Sequence, residues 1–180
     1  ADHLQHQKPR PENRRRSFRR RPDFNSYIQG PHPWRRRKEV LRMNIMVIDG
    51  QGGRMGKSIV EQMKRNFPED EILAIGTNSI ATAAMLKAGA DAGATGENPA
   101  IVGCRTADLI IGPLGIVIAD SLLGEITPAM AAAIGQSRAK KILLPVNRCQ
   151  HYVVGCRDLP LGELVRMAVE LVRQFKEEAL

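Results

Sequence analysis

The residues best suited to chemistry form one run, Asp49-Gly50-Gln51-Gly52-Gly53-Arg54-Met55-Gly56. Gly50, Gly53 and Gly56 give the spacing G-x-x-G-x-x-G. Placed between a strand and a helix, this spacing lets the backbone approach a pyrophosphate. The N–H groups of the helix start then point at the anion. In that reading Gly50 makes the tight turn, Gly53 admits the phosphates and Gly56 lets helix and strand pack closely. A second mechanism competes. Gly56-Lys57-Ser58 ends like a P-loop for ATP or GTP, but the glycine required five residues before Gly56 falls on Gln51. Ile116–Asp120 supplies a Walker-B-like apolar run ending in an acid. A third reading is a glycine turn that serves packing alone. Asp49 sits awkwardly for any phosphate site, since a carboxylate repels phosphate unless it holds a metal, a ribose hydroxyl or a backbone N–H.

The elements that must position this run can be read from periodicity. Ile45–Ile48 is a short β-favouring apolar run, and Met55, Ile59, Val60 and Met63 recur at helical spacing. Glu71–Ile75 predicts a second strand ending in Gly76-Thr77-Asn78. An Ala-rich helix follows over 80–87, closed by Gly89. Ala90–Thr95 predicts a short third strand, and Asn98 with Pro99 announces a helix through Cys104. Asp108–Ile111 is a strand stopped by Gly112-Pro113, while the apolar run 115–123 fits either strand or helix. Thr127 caps and Pro128 opens a helix through Ile134. Lys141–Val146 and Tyr152–Val154 predict two more strands. Leu161–Phe175 is an amphipathic helix, with Leu161, Leu164, Val165, Ala168, Leu171, Val172 and Phe175 on one face. Strands alternating with helices predict an α/β fold, a Rossmann-like three-layer sandwich with a mostly parallel sheet.

Ligands of such sheets bind beyond the C-terminal strand ends, near the switch in strand order. That brings in Thr77 and Asn78, which can bond a ribose in place of the acid expected after the second strand. Gly112 and Pro113 line the same edge, as do Asn147 and His151. His151 is the only histidine of residues 43–180 and is the candidate general acid/base, with Asn147 beside it. Cys149, His151 and Cys156 lack a fourth ligand at a sensible spacing, so no metal site is expected. Glu97, Asp120 and Glu125 are the acids nearest predicted loops. Glu125 precedes a helix cap by two residues, where ordinary helix-end electrostatics account for it.

Charge divides the chain. Residues 1–42 hold 13 Lys/Arg against 4 Asp/Glu, whereas residues 43–180 hold 14 against 15. The basic character therefore belongs to a tail that is poor in aliphatics and reads as disordered. Its RRRSFRRR and RRRK clusters resemble nucleic-acid-binding arms. The competing and preferred reading is upstream sequence translated in frame, with Met43 as the native start. A mature N-terminus found upstream of Met43 by mass spectrometry would sink it. Nucleic acid is then not an expected partner. Three cysteines imply no disulfide framework, and no apolar run is long enough to span a bilayer, so a cytoplasmic protein is expected.

Two resemblances add to this. Gly53-Arg54-Met55-Gly56 is similar to the glycine loop of the dihydrodipicolinate reductases, over the loop alone. Residues 43–180 resemble one bacterial family, domain of unknown function 3842. The strings that carry the likeness are VIDGQGG (47–53), GTN (76–78), MLKAGADAGATGEN (85–98), IIGPLGIVI (110–118), LGEITP (123–128) and PLGE (160–163). The resemblance implies a single Rossmann-like domain and supplies no activity. The expectation is a domain that binds NAD(P) or a related dinucleotide as a sensing or regulatory module. A small NAD(P)-dependent oxidoreductase is the alternative and a P-loop-like protein the second. The chain leaves little room for a separate substrate domain, which points to the module or to a homo-oligomer with a shared site.

Overall fold

The computed structural model describes residues 42–145 and 152–179. The basic tail lies outside them. β1 (Asn44–Asp49) is apolar on both faces, as a strand covered on both sides must be. Ile45 and Val47 point to one core and Met46 and Ile48 to the other. β1 is the centre of five parallel strands in the order β3-β2-β1-β4-β5. Its neighbours are β2 (Glu71–Gly76) and β4 (Leu109–Pro113), with β3 (Ala92–Thr95) and β5 (Lys140–Leu144) at the edges.

The helices form two layers. α1 (Arg54–Asn66) and α5 (Leu161–Glu178) press Ile59, Val60, Met63, Leu164, Val165 and Val172 onto one face. α2 (Ser79–Lys87) adds Met85 to that core. On the other face α3 (Glu97–Gly103) and α4 (Pro128–Gln136) bury Ala100, Met130 and Ile134. Removing one such side chain, for example Ile48→Ala, costs about 3 kcal/mol. The fold is thus the expected α/β sandwich, and its sheet is wholly parallel.

Several local expectations need correction. α3 is capped by Gly96, and Asn98 lies inside its first turn. Gly112 and Pro113 belong to β4 and do not stop it. The ambiguous run 115–123 is neither strand nor α-helix. It opens as a 3-10 turn at Leu114–Val117 and continues as a loop in which Asp120, Leu122 and Leu123 have φ of 60°, 54° and 62°. Tyr152–Val154 forms no strand, and all three residues are exposed. On α5 Val169 is buried where Leu171 was expected, and Leu171 is 39% exposed. These misses share a cause, since caps, edges and turns depend on tertiary neighbours that hydrophobic periodicity does not encode.

Candidate functional site

Strand order reverses between β1 and β4. A cleft of about 700 Å³ opens there, beyond the C-terminal strand ends. The turn after β1 forms one wall, with Asp49, Gly50, Gln51, Gly52, Gly53, Arg54 and Met55. Pro113, Leu114, Gly115, Ile118 and Leu122 follow β4, and Pro145 follows β5. Asp158, Leu159, Leu161 and Leu164 close the side nearest α5. The cleft is within the size range of small-molecule sites and sits where open α/β sheets bind ligands.

Asp49 resolves the tension noted from the sequence. Its side chain is buried and accepts hydrogen bonds from the Gly50 amide at 2.8 Å and the Gly56 amide at 2.6 Å. Burial pushes its carboxyl above the ordinary range, against the Gly56, Gly50 and Met55 amides, which pull it down. Of the three roles open to it, Asp49 takes the backbone one. It is a carboxyl group built into the start of α1, in the place a helix N-terminus offers to a phosphate.

Glu125 is the residue that sequence reasoning missed. Its Oε2 accepts the Gln51 amide at 2.8 Å, the Thr77 hydroxyl, and the Asn78 Nδ2 at 3.2 Å. Burial raises its carboxyl, but the Thr77, Gln51 and Asn78 donors outweigh burial and hold it below the ordinary range. Asn78 also donates to the Gln51 carbonyl at 3.0 Å, and its Oδ1 caps α2 by accepting from Ala81 at 2.9 Å. The end of β2 is thus latched to the glycine turn by an acid from the β4–α4 loop. The sequence signal there is an acid near a predicted loop, two residues before a helix cap.

The glycines mostly face protein. Gly53, at φ 66°, turns its α-carbon toward α2, where an added Cβ would lie 2.6 Å from the Ala81 Cα. At Gly56 it would meet the Met85 sulfur at 2.5 Å and the Asp49 Cβ at 2.7 Å, so this glycine does serve close helix–strand packing. At Gly50 it would meet Glu125 Oε2 at 2.5 Å. Gly52 alone of the four faces open space. Its amide and that of Arg54 have no hydrogen-bond partner among the described residues. Arg54 is exposed at the first position of α1, where a cation opposes the helix dipole and an anionic ligand would compensate it.

Four candidates lie off the cleft: Gly56, Thr77, Asn78 and Gly112. Gly112 packs against the Ile48 carbonyl, where a Cβ would come within 2.5 Å. Lys57 lies on the outer side of α1, paired with Glu61 at 3.8 Å, and neither it nor Ser58 lines the cleft. Asn147, Cys149 and His151 lie outside the described residues. Burial raises the Cys104 thiol, and among the described residues no group of three His, Cys, Asp or Glu could hold a metal ion. No helix of the described residues is long and apolar enough to cross a membrane.

The chain belongs to the family described as a domain of unknown function, DUF3842, whose model matches residues 44–177. No curated protein matches it. Among solved structures it is similar to a dodecameric FMN-dependent UbiX-like decarboxylase from Escherichia coli O157:H7. The identity is 16% over 75% of this chain and 76% of that one, with a TM-score of 0.39.

Proposed function

We propose that this chain binds a nucleotide in the cleft between the β1 and β4 strand ends and acts as a sensing or regulatory module. The carrying observation is the position of that cleft, at the reversal of strand order with the glycine turn as its wall. The Gly52 and Arg54 amides and the Arg54 guanidinium supply donors for a phosphate, and the leucines of the other walls suit a flat base. An NAD(P)-type dinucleotide, the first expectation from the sequence, has phosphate donors here. The ribose position at the end of β2 is filled by the Glu125 latch.

Titration of the full chain with NADH, NADPH, FMN, ATP and GTP, with and without magnesium, tests the proposal. Saturable binding of at least one supports it, and no binding at millimolar concentration defeats it. Magnesium-dependent ATP binding that needs Lys57 would favour the P-loop reading instead. The oxidoreductase alternative predicts that His151→Ala keeps ligand affinity and abolishes turnover.

A further inference from the structure

Resting on that nucleotide reading, we infer that the cleft takes a nucleoside monophosphate in preference to a dinucleotide, and that Glu125 makes the choice. A dinucleotide in this kind of fold lies across the switch point, with a ribose bonded to a group at the end of β2. Here the groups at that end are already paired. The Thr77 hydroxyl and the Asn78 amide both donate to Glu125 Oε2, which takes the Gln51 amide as well. The carboxylate also fills the space directly over the turn, as the 2.5 Å approach of Oε2 to a Cβ on Gly50 shows. A second ribose would have to displace a carboxylate that holds three donors, in a partly buried site where unpaired polar groups are costly.

The cleft agrees in extent and charge. Its lining stops at the glycine turn, and no residue of β2 or β3 takes part. Among the described residues that line it, Arg54 is the one cation, against the carboxyl groups of Asp49 and Asp158. One phosphate is matched by Arg54 and the two loop amides, while a second meets like charge. The space that remains is apolar and suits one base.

The test is calorimetric titration of the full chain with AMP, GMP and NMN against NAD+ and NADP+, in wild type, Glu125→Ala and Glu125→Gln. The expected result is that the best mononucleotide binds at least about tenfold tighter than either dinucleotide. Glu125→Ala should lower that preference about tenfold or more, with Glu125→Gln intermediate because it keeps the shape and loses the charge. Should the alanine variant fail to fold, the glutamine variant and the wild-type ratio carry the test. Equal or tighter binding of NAD+ or NADP+ by wild type overturns the inference and leaves the nucleotide reading standing. A preference unchanged in both variants overturns the role of Glu125. If none of the five binds, the inference falls, while the nucleotide reading stands or falls by the separate titration with FMN, ATP and GTP.

Discussion

The two halves of the sheet's C-terminal edge make opposite use of similar materials. On the β2 side the protein answers its own polar groups. Asp49 accepts from the Gly50 and Gly56 amides, and Glu125 accepts from the Gln51 amide, the Thr77 hydroxyl and the Asn78 side-chain amide. On the β4 and β5 side the walls are apolar, the amides of Gly52 and Arg54 have no hydrogen-bond partner among the described residues, and a cleft remains. The same turn separates the two. A glycine-rich turn is therefore evidence about backbone crowding before it is evidence about ligands. Only the side left unfilled speaks for binding.

The comparison can be broken most forcefully at the glycines. Gly53→Ala combines left-handed strain with a 2.6 Å overlap on the Ala81 backbone, and should cost about 3 kcal/mol in urea unfolding. A loss under about 1 kcal/mol would mean that the turn is not held against α2. Next in size, Arg54→Ala should weaken the best nucleotide about tenfold, and salt should cut wild-type affinity more steeply than that of the variant. Stability should hold or rise, since a cation at the start of α1 opposes the dipole. An affinity unchanged by this substitution would remove the phosphate from the open side.

The two carboxylates sharpen the contrast through pH. The folded-state pKa of Glu125 is depressed below its ordinary 4.5, so its stabilisation is present above that value. It is lost as pH falls through the lower folded value. Asp49 is raised above its ordinary 3.8, so its contribution is complete below 3.8 and is lost as pH rises through its folded value. Urea midpoints between pH 3 and pH 7 should therefore lose part of their acid fall in Glu125→Gln. In Asp49→Asn they should lose part of their decline on the alkaline side. Identical slopes in all three proteins would dissolve the distinction. The smallest effect is expected of Gly52→Ala, which meets nothing within 4 Å and should shift stability by less than about 0.5 kcal/mol while lowering nucleotide affinity.

Much of the architecture was legible because hydrophobic period is local. β1 could be read from Ile45–Ile48, α1 from Met55, Ile59, Val60 and Met63, and the cap at Thr127 from the Thr-Pro pair, whose hydroxyl does accept from the Met130 amide at 3.1 Å. Position at the strand ends was legible too, through the rule for parallel sheets. Eight of the cofactor candidates, Asp49 to Met55 and Pro113, line the cleft. The roles were less legible. Thr77 and Asn78 looked like ribose ligands from their place after β2, and the local use of Asn78, whose Oδ1 caps α2 by accepting from the Ala81 amide, went unread. Glu125 looked like a helix-end charge because its partners lie 74, 48 and 47 residues away.

The sequence by itself determined that strands and helices alternate, that the sheet is buried on both faces, and that a glycine turn joins β1 to α1. Each of these follows from the order of residue types along a short stretch. Tertiary structure decided what the turn is for. Strand order β3-β2-β1-β4-β5 brings the loop after β4 back over the ends of β1 and β2. That return is what fills one side with Glu125 and leaves the other as a cleft. Pairings across such distances follow from how strands are stacked, and a one-dimensional pattern does not carry that order.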